Sequence, residues 1–204
     1  MPRKRLRKRL LNSSKKFLVI GLGNPGPEYE ETRHNAGFLV ADEIAARLQF
    51  EMKKPRFFPF AWGRVKVAGT ELYCVKPYTY MNRSGSALGQ IFKKTGCGIG
   101  DTLVVCDSLD LDPGIIRIKR KGGSAGQKGL ESIIAATGTS NFSRIFIGIG
   151  RPKYKGEVPS YVLNAPRGDE AELFHQSIQK AADAVLEILK TGMDQVMNEF
   201  NRTS

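Results

Sequence analysis

The sequence predicts an α/β fold: a single domain built on a mixed β-sheet flanked by helices on both faces. Three observations carry this. Short runs rich in Val, Ile and aromatics alternate with longer segments whose apolar residues recur at helical spacing. Two of the short runs are separated only by Ala68-Gly69-Thr70, a hairpin that supplies antiparallel pairing, whereas strand–helix–strand units supply parallel pairing. No internal repeat or second-domain boundary follows the first 16 residues, and a chain of 204 residues suits one domain with a real core.

Strands are predicted at Phe17–Leu22, Arg64–Val67, Glu71–Lys76, Thr102–Cys106, Ile115–Lys119 and Ile145–Ile149. Most are followed by Gly, Pro or Asp, which punctuate strands. Helices are predicted at Ala36–Leu48, Ser84–Thr95, Gly129–Thr137 and Asp169–Lys190. In the first, Phe38, Ala41, Ile44, Ala45 and Leu48 share one face; in the last, Leu173, Ala181, Val185, Leu186 and Leu189 do. Asp169 is placed to cap the last helix and Gly192 to end it. The segments Ser124–Lys128 and Pro152–Pro159 read as movable loops.

Charge is unevenly placed. The chain carries a net +12, and +8 of it lies in residues 1–16, which contain no acid. The reading is therefore a basic, disordered tail over 1–16 and a folded domain over 17–204. Such an arm holds polyanions by counterion release, or simply keeps the chain soluble. It lacks the apolar core of a secretory signal, while a nuclear or mitochondrial address stays open. No run approaches the ~20 apolar residues of a membrane span. Cys74, Cys97 and Cys106 form no Cys-x-x-Cys pair, which suits a reducing compartment. With only two histidines, far apart, no metal site is expected.

The first predicted strand feeds Gly21-Leu22-Gly23-Asn24-Pro25-Gly26, with Thr32-Arg33-His34-Asn35 just behind it. Its glycines match a dinucleotide-binding pattern, but the context argues against that use. Pro25 and Pro27 remove backbone donors that a pyrophosphate needs, and Asp42 and Glu43 fall inside a helix pattern instead of capping a second strand. His34 sits among polar turn residues, a setting that favours a reacting group over core packing. His175, mid-helix, reads as structural.

Three further motifs follow in order. They are Lys76-Pro77 through Tyr80-Met81-Asn82-Arg83-Ser84-Gly85; then Asp107-Ser108-Leu109-Asp110-Leu111 with Pro113-Gly114; then Ile147-Gly148-Ile149-Gly150-Arg151-Pro152. With Val19 to Gly26, Tyr29, Thr32 to Phe38 and the ending Met197-Asn198-Glu199-Phe200-Asn201, the chain resembles the bacterial peptidyl-tRNA hydrolase family. The resemblance implies a monomeric α/β esterase. It cleaves the ester joining a peptide to the 3′-terminal ribose of tRNA, in the cytoplasm, with no metal or organic cofactor and no obligate protein partner. It also implies that Asp107 pairs with His34, that Asn24 and Asn82 bind the peptide end and the oxyanion, and that Tyr29 and Tyr80 join them as substrate-binding residues.

The chemistry of those residue types agrees. A neutral imidazole activates water near pH 7, and a carboxylate on its far nitrogen fixes the tautomer and favours the imidazolium. Carboxamides both donate and accept, which suits a carbonyl, a water and a peptide N–H. Each also has a plainer reading: Asn24 as a turn residue bonding its own backbone, Asn82 as a loop residue at a helix start, Asp107 as a strand-end cap.

Two departures stand out. Where the family usually has histidines near Ser124 and Gln127 and an asparagine at Lys128, this loop reads Gly122-Gly123-Ser124-Ala125-Gly126-Gln127-Lys128. Lysine has three donors and no acceptor; it suits a phosphate, discourages protonation of His34 if near it, or is simply solvated. Among expected tRNA phosphate ligands, Arg117 and Lys119 are present, but the later basic position holds Phe146, leaving Arg144, two residues earlier, as the substitute. The alternative reading is an RNA-binding relative with weak or no hydrolysis.

Overall fold

The structure is a computed structural model in which residues 15–202 are described. Six strands form one sheet: β1 (Lys15–Gly21), β2 (Phe60–Val67), β3 (Thr70–Pro77), β4 (Thr102–Ser108), β5 (Ile116–Lys119) and β6 (Ser143–Gly148). Their order is β2-β3-β1-β4-β6-β5. The four central strands run parallel, and the two edge strands pair antiparallel. β2 and β3 form the expected hairpin.

Helices cover both faces. On one lie α1 (Ala36–Arg47), α5 (Asp169–Thr191) and α6 (Met193–Phe200). On the other lie the 3₁₀ segment Met81–Ala87 with α2 (Leu88–Thr95), and α3 (Lys128–Thr137). Strand alternation distributes the core between them. Val19, Leu103, Val105, Ile145 and Ile147 pack under α1 and α5, whereas Leu18, Ile20, Val104, Cys106 and Phe146 pack under α2 and α3. β4 is buried along its whole length, as a central parallel strand covered on both faces must be.

Several boundaries differ from expectation. β1 starts at Lys15, so the last two residues assigned to the basic tail belong to the sheet. They pair with Thr70 and Glu71, and the Lys16 ammonium donates to the Thr95 carbonyl at 2.7 Å. The rest of the tail, 1–14, lies outside the described residues. The segment Pro152–Pro159, read as loop, contains a 3₁₀ turn at Lys155–Glu157 and the start of a short helix, α4 (Val158–Val162). Asp169 does not cap α5 from outside. It is the first helical residue and, with Glu170 and Glu172, places negative charge in a first turn that favours it.

The sheet order makes a crevice. The chain leaves β1 for α1 and then β3 on one side, while β4 lies on the other, so the connections diverge at the carboxyl ends of β1 and β4. α1 begins directly on those ends. A Cβ on Gly37 would come within 2.3 Å of both the Leu22 nitrogen and the Val105 oxygen, so only glycine permits the approach. No helix opens at the glycine turn itself, because Pro27–Tyr29 and Arg33–Asn35 are 3₁₀ turns. The Asp42 side chain pairs with Lys76 at 2.5 Å. The turn is therefore not a dinucleotide cradle.

Candidate active site

At the divergence of β1 and β4 lies a cleft of about 720 Å³. His34, Asp107, Asn24, Tyr29, Tyr80, Asn82 and Lys128 all line it. They come from four places in the chain: the connection from β1 to α1, the start of the connection from β3 to α2, the end of β4 and the start of α3.

His34 Nδ1 lies 2.9 Å from Asp107 Oδ1. A carboxylate only accepts, so the shared proton sits on Nδ1 and Nε2 keeps its lone pair. The His34 side chain is 13% exposed and Asp107 is buried. Burial pushes the imidazole towards neutrality, but the Asp107 charge and hydrogen bond outweigh it, and His34 titrates above its usual 6.5.

The neighbours of His34 hold it in place. Arg33 forks onto Glu170 at 2.7 and 2.8 Å, donates to the carbonyls of Asn164 and Tyr161, and stacks on the Tyr161 ring. The Arg33 hydrogen bond holds Glu170 below the usual carboxylate range. On the other side, Asn35 clamps the backbone of Asn24, accepting from its N–H at 2.8 Å and donating to its carbonyl at 3.0 Å. The Asn24 Oδ1 accepts from the Met81 N–H at 2.8 Å. That fixes the amide's orientation and leaves its donor end for the cleft. Asn82 is exposed, in the 3₁₀ segment whose Gly85 N–H donates to Ser132 of α3.

The opposite wall is the glycine-rich loop. Lys128 is the first residue of α3, with its side chain 66% exposed and its ammonium paired with Glu131 at 3.0 Å. Gln127, buried, reaches Asp107 Oδ1 with Nε2 at 2.9 Å and accepts from the Leu130 N–H with Oε1. Sequence reasoning missed Gln127 and Asn35. The usable signal for Gln127 was a glutamine where a helix start favours Ser, Thr, Asp or Asn. For Asn35 it was a carboxamide opening an apolar helix.

Of the three expected phosphate ligands, two lie together. Arg117 and Lys119 point to the α3 side of edge strand β5, in register with Phe146 and Arg144, and Phe146 lines the cleft. Lys119 is exposed, with its ammonium 5.7 Å from the Phe146 ring centre. Arg144 corrects the expectation. It is fully buried, donating to the carbonyls of Gly122, Gly123, Ser140 and Phe142. Its guanidinium is occupied in holding the loop and is shielded from a phosphate. His175 is exposed on α5, away from the cleft. Among the described residues no cluster of His, Cys, Asp and Glu suits a metal ion, and no helix is long and apolar enough to cross a membrane.

Comparison with known proteins agrees with this architecture. A sequence model of the family described as peptidyl-tRNA hydrolase matches residues 18–204. The chain is similar to peptidyl-tRNA hydrolase of Geobacillus thermodenitrificans, with 43% identity over 184 residues that cover 90% of this chain and 98% of the relative. It is 42% identical to the Listeria innocua protein of the same name, over 90% and 99% of the two chains. The crystal structure of peptidyl-tRNA hydrolase from Acinetobacter baumannii superimposes with a TM-score of 0.85 at 36% identity, covering 93% of this chain and 96% of that one. With residues 18–204 matched, the chain belongs to the peptidyl-tRNA hydrolase family.

Proposed function

We propose that this protein hydrolyses peptidyl-tRNA, cleaving the ester between a peptide and the 3′-terminal ribose and returning free tRNA to translation. The observation that carries the reading is the His34–Asp107 pair in the cleft of a chain of this family. Nε2 of His34 takes a proton from water as the water oxygen bonds to the ester carbonyl carbon. The carbonyl electron pair moves onto oxygen, where the carboxamide donors of Asn24 and Asn82 receive it. Asp107 stabilises the imidazolium that forms. Collapse of the intermediate breaks the carbon–oxygen bond to ribose, and the imidazolium returns its proton to the leaving oxygen. The products are a free ribose hydroxyl and a peptide carboxylic acid, which releases its remaining proton to solvent as the carboxylate.

Tyr29 and Tyr80 flank the peptide end, and Lys128, Arg117 and Lys119 receive tRNA phosphates along the open side of the cleft. All these groups belong to one chain, so a monomer supplies the complete site. No bound metal or organic cofactor enters these steps. The activity belongs in the cytoplasm, where free thiols such as buried Cys74, Cys97 and Cys106 persist.

The test is release of free tRNA from peptidyl-tRNA. Replacing His34 with Ala is expected to slow release by about 10²–10⁴-fold, the usual contribution of a positioned base. Binding without release by the unmutated protein at high concentration would favour the RNA-binding alternative.

A further inference from the structure

We propose that Gln127 is a positioning residue for hydrolysis: its amide holds Asp107 Oδ1 in line with His34 and couples the aspartate to the start of α3. The inference rests on the proposed hydrolysis. Its basis is the orientation of one side chain. The Leu130 N–H can only donate, so the Gln127 atom facing it at 2.9 Å is Oε1. Nε2 is thereby turned to Asp107 Oδ1 at 2.9 Å, the same oxygen that faces His34 Nδ1. The second Nε2 hydrogen has only the Met81 sulfur, a weak acceptor, at 3.2 Å.

One carboxylate oxygen thus receives two donors, one from the base and one from the loop wall. Two donors at different angles fix the plane of the carboxylate, and that plane fixes the imidazole. The Gln127 donor also disperses the charge on Oδ1, which moderates its hold on the His34 imidazolium. An amide does not titrate, so the setting persists across the working pH range. Gln127 is buried and does not need to touch substrate for this. The other ionisable side chains around the cleft are Tyr29, Tyr80, Arg83 and Lys128.

Gln127 has a second, structural duty as the cap of α3. The two duties separate in Gln127→Ser, because serine is a good cap but is too short to reach Asp107. kcat, KM and the pH dependence of kcat on peptidyl-tRNA are measured for the unmutated protein, Gln127→Ser, Gln127→His and His34→Ala. For Gln127→Ser the expected result is kcat down about tenfold, KM within about twofold, and the acid limb of the profile moved upward, as loss of a hydrogen bond to the charged partner dictates. Gln127→His restores a donor that titrates, so kcat recovers and a second ionisation enters the profile.

A Gln127→Ser protein with unchanged kcat and an unchanged acid limb overturns the inference, leaving Gln127 a helix cap. A raised KM at constant kcat also overturns it, making Gln127 a substrate contact. If His34→Ala is as active as the unmutated protein, His34 is not the base, and if the unmutated protein releases no tRNA, the proposed hydrolysis itself fails. If only His34→Ala is impaired, the positioning role alone fails.

Discussion

His34 and Lys128 line the same cleft, yet the walls that carry them are held in different ways. Both sequence neighbours of His34 are buried anchors: Arg33 is spent on Glu170 and two carbonyls, and Asn35 on the backbone of Asn24. The base is the one partly exposed residue between two locked ones. The other wall, Gly122–Lys128, runs mostly exposed, with Ala125 in the left-handed region at φ 51. It is pinned at its ends, by Arg144 at Gly122 and Gly123 and by Gln127 at Asp107. The base wall tolerates little change, whereas the loop wall can vary its chemistry so long as its two pins survive. Both departures from the family pattern noted in the sequence concern the loop wall and its pins.

The largest expected effect comes from the junction of the two walls. Asp107→Asn keeps an oxygen that Gln127 and His34 can both donate to, but removes the charge. Release of tRNA is expected to fall by about 10²–10⁴-fold, because nothing then stabilises the imidazolium. The pH profile gives the sign. In the unmutated protein the neutral base is required, so the rate rises with pH through a midpoint above 6.5. Without the Asp107 charge the opposition to burial weakens, and the midpoint moves down. Stability runs the opposite way to activity. The fold favours protonated His34, so the pair's contribution is full below about 6.5 and is lost as pH rises through the folded midpoint. An unshifted acid limb in Asp107→Asn would separate the base from its aspartate and break the comparison at its centre.

Arg144→Met tests the far pin. Methionine fills much of the volume but donates nothing, leaving carbonyls of Gly122, Gly123, Ser140 and Phe142 without their donor. Loss of about 1–3 kcal/mol in chemical unfolding is expected, the cost of orphaning partly buried acceptors. Salt dependence of tRNA binding should stay unchanged, since this guanidinium is enclosed. A weaker salt slope at native stability would return Arg144 to the phosphate-binding set.

What the sequence made legible follows the same division. The strands, the hairpin and α1, α3 and α5 could be read because their apolar periodicity is strong, with ends misplaced by a few residues at most. His34, Asp107, Asn24 and Asn82 converge because each lies at or beyond the carboxyl end of a strand, and the strand order brings those ends to one crevice. The duties of Arg144 and Gln127 were not legible. A basic residue two positions from an expected ligand looks like a substitute, and only tertiary packing shows its guanidinium enclosed by four carbonyls. A glutamine beside a lysine bears no charge to mark it, although it is the glutamine that touches the aspartate. Sequence reports which residue types are available; burial decides which of them remain free to act.

Lys128 carries the smallest expected effect and tests the comparison most sharply. Its ammonium is already paired with Glu131, and two-thirds of its side chain is open to solvent. An exposed pair of this kind contributes little, so Lys128→Asn should change KM by no more than about two- to fivefold and leave kcat nearly untouched. If Lys128 receives a phosphate, the slope of log affinity against log salt should fall by roughly one in the variant. If kinetics and slope are both unaltered, Lys128 lies outside the working site and the loop wall acts through Gln127 alone. A large change in kcat would make the exposed end of α3 part of the bond-breaking step, and the contrast between a fixed wall and a variable one would not survive it.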